Sequence, residues 1–279
     1  MTRAFVLTCS AADVDVASDV LWQLGVRAIE ERTVRDAAGV ELWTAVGGEP
    51  EAVERAIRAL GGRWSCRVVD VDDEARETWR DFAEPIRIDG DLVILPAWVD
   101  VDVDAATVVR IEPGGAFGLG DHPTTELSLR AMKRLLGDDV DVLDVGCGTG
   151  VVAVTAALLR RRPVRAIDIS SAAVEATLDN ARRNGVDDVI AVDTTALADI
   201  DGVYDVVVAN ILAPVLVSLA ADLQRVTRSW LVISGVLASA YQHVVDALAP
   251  MQVAQIEELD GWACLVLRNA ADVTLPGAG

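Results

Sequence analysis

The chain has 279 residues, 52% of them hydrophobic and 24% charged, which is the composition of a folded globular protein with one large or two modest domains. Its net charge of −20 argues against a nucleic-acid partner, since phosphate neutralisation needs clustered Lys and Arg, and suits either plain solubility or a basic protein partner. Two histidines exclude a histidine-rich metal site; four scattered cysteines without a Cys-x-x-Cys predict reduced thiols in a cytoplasmic protein, and no apolar run is long enough for a membrane span or a signal peptide.

In chain order, Arg3–Thr8 predicts a strand and Val14–Leu24 a helix closed by Gly25. Ala28–Val34 and Val40–Val46 predict a hairpin around Asp36-Ala37-Ala38-Gly39. Pro50 opens a helix with the apolar face Val53, Ala56, Ile57 and Leu60, and Trp64–Val69 is the last strand. This β-α-β-β-α-β order predicts a small ferredoxin-like α+β domain over residues 1–70. A charged, helical linker is expected over 71–84, a larger domain over 85–270 and a tail over 271–279.

Leu92–Pro96 and Thr107–Ile111 read as strands leading into the larger domain. From there strands at Val140–Val145, Val164–Ile169, Val189–Val192, Tyr204–Ala209 and Trp230–Ser234 alternate with helices at Val151–Leu159, Ala172–Asn184, Pro214–Arg225 and Ala238–Leu248. Apolar, β-branched strands between amphipathic helices predict a parallel sheet covered on both faces. Gln252–Glu257 and Trp262–Leu267 flank Leu259-Asp260-Gly261 and predict a closing hairpin. Five parallel strands and a terminal antiparallel hairpin are the plan of a Rossmann-like seven-stranded S-adenosylmethionine-dependent methyltransferase sheet.

Three constellations carry chemistry. The first is Val142-Leu-Asp-Val-Gly-Cys-Gly-Thr-Gly150, a buried strand running into a glycine turn, with Asp168 ending the next apolar run. Such a turn builds a nucleotide-type pocket at the carboxyl end of a parallel sheet. The glycines alone are ambiguous between dinucleotides and S-adenosylmethionine. Gly146, Gly148 and Gly150 space as G-x-G-x-G rather than G-x-G-x-x-G, which favours a cofactor without a pyrophosphate. Asp168 suits a bidentate bond to both ribose hydroxyls, and Asp193 a bond from the adenine amino group. Asp144 reads as a supporting or ammonium-binding carboxylate rather than a general base.

The second constellation, Glu112-Pro-Gly-Gly-Ala-Phe-Gly-Leu-Gly-Asp-His-Pro-Thr-Thr125, sets glycines around Phe117 in a loop able to close over a ligand. Pro123 then opens a helix where Thr124 and Thr125 can present hydroxyls or cap its amides, and His122 orients the loop, contacts substrate or bonds only backbone. In the third, Val207-Val-Ala-Asn-Ile-Leu-Ala213, Asn210 ends the fourth strand, where it can orient an amine toward the sulfonium methyl.

Together these segments, with Ile167-Asp-Ile169, Asn184-Gly185, Ser234-Gly-Val-Leu237 and Trp262, resemble the ribosomal protein L-eleven methyltransferase family (PrmA-type). The resemblance spans about residues 76 to 268 and is only architectural before residue 70. It implies S-adenosylmethionine contacts at Thr125, Gly146, Asp168 and Asn210, N-methylation of lysine and N-terminal amines, and the basic ribosomal protein as substrate held by the N-terminal domain. Leu119 departs from the family's Phe-Gly-Thr-Gly stretch. With no Glu or His as an obvious base, water is the expected proton acceptor. A small-molecule methyltransferase and a non-catalytic cofactor-binding module are the competing expectations.

Overall fold

A computed structural model describes residues 2–10, 13–14, 17–18, 21, 26–33, 39–46, 50–59, 64–71, 85–112 and 122–269. It divides into two compact units, Met1–Ala83 and Glu84–Gly279. The expected linker, apart from Val71 at the end of a strand, and the tail lie outside the described residues, as does the 113–121 segment with Phe117 and Leu119.

In the first unit, β1 (Thr2–Cys9), β2 (Val26–Thr33), β3 (Val40–Val46), α1 (Pro50–Ala59) and β4 (Ser65–Val71) follow the expected order. The sheet runs β2-β3-β1-β4 with every neighbour antiparallel. Phe5 and Leu7, two residues apart and so on one face of β1, pack with Leu42, Val53 and Ile57 and with Ala17 and Leu21. Residues 14, 17, 18 and 21 are helical; the rest of the expected 14–24 helix lies outside the described residues.

The second unit opens with β5 (Ile86–Asp89), β6 (Leu92–Pro96) and β7 (Thr107–Ile111), a three-stranded sheet ordered β5-β6-β7. β5, which sequence patterning left within no element, pairs antiparallel with β6 around Gly90-Asp91. There follow α2 (Pro123–Leu135), β8 (Val142–Val145), α3 (Val151–Arg160), β9 (Val164–Ile167), α4 (Ser171–Arg183), β10 (Ile190–Asp193) and β11 (Tyr204–Asn210). The chain ends with α5 (Ala213–Ser218), α6 (Ala220–Val226), β12 (Thr227–Leu237), α7 (Gln242–Ala247), β13 (Gln252–Leu259) and β14 (Trp262–Arg268).

The large sheet is ordered β10-β9-β8-β11-β12-β14-β13. Its first five strands are parallel, and the hairpin of β13 and β14 joins antiparallel to β12. Alternate residues feed two cores: Val206 and Val208 pack toward Leu127, Met132 and Val154, while Val207 and Ala209 pack toward Leu216, Leu223 and Val244. Each fully buried Leu or Val contributes about 1.5–3 kcal/mol, so both faces need their helices. Strand order reverses between β8 and β11, and the crevice at their carboxyl ends is where a ligand of such a sheet sits.

Three elements differ from expectation. The 214–225 helix is two helices meeting at Leu219 (φ −96°, ψ 3°), where the Ser218 hydroxyl donates to the Val215 carbonyl at 2.8 Å and bends the chain. The 238–248 helix contracts to Gln242–Ala247 because β12 stays paired with the hairpin as far as Leu237, and a turn closed by the Ala240 amide on the Leu237 carbonyl must follow before a helix can start. β9 stops at Ile167, since the Asp168 carboxylate turns the backbone by accepting the Ser170 amide at 2.9 Å. Among the described residues, no helix is long and apolar enough to cross a membrane.

Candidate active site

The glycine turn is anchored from behind. The Gly146 and Cys147 amides both donate to the Ile167 carbonyl, at 2.8 and 3.1 Å, binding the end of β8 to the end of β9. Gly146, Gly148 and Gly150 hold φ of 73°, 56° and 78°. At Gly146 a Cβ would lie 2.4 Å from Ile211 Cγ2, so glycine is required by space as well as by φ. Beneath the turn, Asp144 is 2% exposed, and its Oδ2 accepts the Ala153 amide in the first turn of α3 at 3.1 Å. Burial pushes its carboxyl up to about 7; the Ala153 amide opposes the shift and the Asp168 charge adds to it.

Asp168 crosses the crevice mouth to the same turn, its Oδ2 accepting the Gly148 amide at 3.0 Å. A carboxylate oxygen has further lone pairs, so this bond orients Asp168 and leaves it able to accept hydroxyls. The next residue, Ile169, is 96% exposed, a large aliphatic side chain held in solvent beside the pocket. Asp193 ends β10 with Oδ1 accepting the Thr195 amide at 2.9 Å and Oδ2 accepting Arg165 Nη2 at 2.6 Å. Thr195 first, then Arg165, hold its carboxyl below the usual range. The carboxylate expected at the adenine end thus has protein partners of its own.

On the other side, β11 delivers Asn210, whose Nδ2 donates to Thr125 Oγ1 at 3.4 Å. Thr125 is buried in the first turn of α2. The Ser234 hydroxyl, paired with Asn210 across β11 and β12, donates to the Thr124 carbonyl at 3.1 Å and ties the start of α2 to the sheet. The following Gly235 has φ 83°, and a Cβ there would lie 2.5 Å from the Ile211 carbonyl oxygen. Ile211 is thereby wedged between Gly235 and Gly146. His122 is the N-cap of α2: its Nδ1 accepts the Thr124 amide at 3.3 Å, and its ring meets Trp262 edge-on with centroids 4.9 Å apart. The same Nδ1 lies 2.8 Å from Thr124 Oγ1, so the ring meets a side chain as well as the backbone.

The fold therefore brings Thr125, Asp144, Gly146, Gly148, Asp168 and Asn210 to one end of the sheet, with Asp193 at the end of β10. Phe117 lies outside the described residues. The segments Ile167–Ile169 and Ser234–Leu237 carried the family resemblance, but Ile169 and Gly235 were given no role in the site. An aliphatic residue directly behind a strand-end acid was the available signal for Ile169. Gly235 had none, because its need for glycine comes from a backbone 24 residues away in the chain. Among the described residues no group of three His, Cys, Asp or Glu side chains is placed to hold a metal.

Comparison with known proteins gives the family. A family model described as ribosomal protein L11 methyltransferase (PrmA) matches residues 48–270. The ribosomal protein L11 methyltransferase of Citrifermentans bemidjiense is 38% identical over 207 residues, 71% of this chain and 68% of that protein. Its counterpart from Geotalea uraniireducens is 31% identical over 289 aligned positions, covering 95% of this chain and 92% of the other. A crystal structure of a ribosomal protein L11 methylase from Lactobacillus delbrueckii subsp. bulgaricus superposes with a TM-score of 0.62 at 32% identity, over 66% of this chain and 98% of that one. The cofactor is S-adenosylmethionine. The pocket suits it chemically: a turn closed to any Cβ at Gly146, a buried carboxyl for an ammonium, and a carboxylate with an aliphatic neighbour for a nucleoside.

Proposed function

Because the chain belongs to the ribosomal protein L11 methyltransferase family, we propose that it N-methylates lysine and N-terminal amino groups of ribosomal protein L11. The observation that carries the amine chemistry is the pairing of Asn210 with Thr125 at the carboxyl end of β11. With Nδ2 directed at the threonine hydroxyl, Asn210 presents Oδ1 as the acceptor for an amine N–H. That bond aims the nitrogen lone pair into the crevice.

When bound, S-adenosylmethionine supplies an electrophilic methyl group on a sulfonium. Gly146 and Gly148 would admit its methionine end against bare backbone, Asp144 would pair with the ammonium, and Asp168 would accept the ribose hydroxyls. Ile169 would offer an apolar face to the adenine, and Asp193, held by Arg165 and Thr195, would accept from its amino group. Asn210 would align the amine nitrogen with that methyl carbon, the sulfur would leave with the electrons of the carbon–sulfur bond, and water would take the amine proton. An α-amine, with a pKa of about 8, is readily neutral, whereas a lysine near about 10.4 must be desolvated first. The residues here work by alignment, which can supply several kcal/mol without a protein base.

The net charge of −20 complements a basic protein and speeds its encounter. The reading assigns substrate recognition to residues 1–70 and catalysis to residues 85–270. Incubation with methyl-labelled S-adenosylmethionine and purified L11 tests it: label should enter L11, and peptide mapping should place it on lysine side chains and the N-terminal amine. Absence of label from folded, cofactor-binding protein rejects L11 as the substrate.

A further inference from the structure

β7 is an edge strand, and its outer edge is closed by two side chains instead of another strand. Asn184 accepts the Arg110 amide at Oδ1 (2.9 Å) and donates from Nδ2 to the Arg110 carbonyl (2.7 Å). Asn180 treats Glu112 identically, accepting its amide at 2.9 Å and donating to its carbonyl at 2.9 Å. Four helical residues rise about 6 Å and two strand residues about 6.6 Å. Two asparagines at i and i+4 on a helix therefore match the repeat of a strand edge, and act as a two-rung substitute for a missing strand.

Asn184 Nδ2 also donates to the Asn180 carbonyl of its own helix at 2.8 Å, whereas the Asn180 rung alone reaches the glycine turn. Its Nδ2 also donates to the Thr149 carbonyl of the glycine turn at 2.9 Å. One turn earlier on the same helix, the Thr177 hydroxyl donates to the Gly148 carbonyl at 3.2 Å, and Thr177 closes on Gly150, where a Cβ would lie 2.7 Å from Thr177 Cγ2. Asn180 is wholly buried, so water does not stand in for its bonds. Glu112 is the residue from which the chain enters the 113–121 segment on its way to Thr125.

We infer that Asn180 is a positioning residue for the cofactor pocket: one buried amide holds the glycine turn at Thr149 and the chain at Glu112 in a single frame. The glycine turn and the end of the β7 segment are thereby kept in register. Asn184 supplies the matched control, since it bonds β7 in the same way and does not touch the turn.

The test compares Asn180→Ala with Asn184→Ala by melting temperature and by calorimetric titration with S-adenosylhomocysteine well below melting. Both variants should melt earlier. Asn180→Ala should weaken binding by about tenfold or more, the scale of one lost buried hydrogen bond, and Asn184→Ala by less than about threefold. Equal weakening in both, weakening only in Asn184→Ala, or unchanged binding in both overturns the inference. Should Asn180→Ala fail to fold, amide exchange in the unaltered protein decides. S-adenosylhomocysteine should slow exchange at Glu112 by at least about tenfold more than at Arg110, and equal protection at the two overturns it.

Discussion

Asn210 Nδ2 lies 3.4 Å from Thr125 Oγ1, a contact between residues 85 positions apart that joins the end of β11 to the first turn of α2. The bond sets which way the Asn210 amide faces, and under the proposed function it leaves Oδ1 for the incoming amine. Asn210→Ala should lower kcat by about 100-fold, corresponding to about 2.7 kcal/mol of lost alignment, while S-adenosylhomocysteine affinity changes by less than about threefold. Thr125→Val, which keeps the shape and removes the hydroxyl, should cost about tenfold in kcat. In the double variant the two effects should be less than additive, as expected for residues acting as a pair. Steady-state kinetics on a methyl acceptor measures all three.

Ile211 is wedged between two glycines whose added Cβ atoms would meet it at 2.4 and 2.5 Å, and both glycines have positive φ. Gly235→Ala meets backbone, which cannot rotate away, whereas Gly146→Ala meets the end of a side chain. Gly235→Ala should destabilise the second unit by about 3 kcal/mol or more, combining overpacking with left-handed strain. Urea unfolding of the two variants should rank Gly235→Ala as the more damaging.

The buried Asp144 carboxyl titrates at about 7, well above its ordinary 3.8. Between those values the folded protein holds a proton that the unfolded chain releases. The stabilisation is therefore full below about pH 4 and is lost as pH rises through about 7. From pH 5 to pH 8 the protein should lose about 2–3 kcal/mol that Asp144→Asn does not lose, read as the difference between their unfolding free energies. An ammonium facing Asp144 favours its ionised form, so S-adenosylmethionine affinity should tighten through pH 7, and Asn at 144 should flatten that rise.

Ile169 offers a separation of binding from stability. A side chain 96% exposed contributes little to the core, so Ile169→Ser should shift stability by less than about 0.5 kcal/mol. If the residue faces the adenine, the same change should weaken S-adenosylhomocysteine binding by about tenfold, the scale of losing an apolar contact of a few methyl groups. Calorimetry and thermal melting on one sample supply both numbers.

Much of the fold was legible because its signals are local. β6 and β7 fall on the expected residues, the five parallel strands of the large sheet differ from expectation only at their ends, and Pro123 opens α2 as its place at a helix start predicts. One departure arose where a distant segment intervenes, β14 pairing with β12 as far as Leu237; another is local, the Asp168 carboxylate accepting the Ser170 amide and ending β9 early. β5 escaped notice because four residues beside a charged stretch carry too short a pattern to outweigh their surroundings.

By itself, the order of residues determined the cofactor chemistry: a G-x-G-x-G turn after a buried strand, an acid after the next strand, and an asparagine ending the fourth are local patterns with local physical causes. Tertiary structure alone decided that Thr125 faces Asn210, that Asp193 is held by Arg165, that Ile211 fills the space between Gly146 and Gly235, and that Asn180 bonds Glu112 and Thr149 at once. Each of these is a hydrogen bond or steric limit between segments far apart in the chain. Such pairs acquire a distance only when the two cores pack the helices onto the sheet.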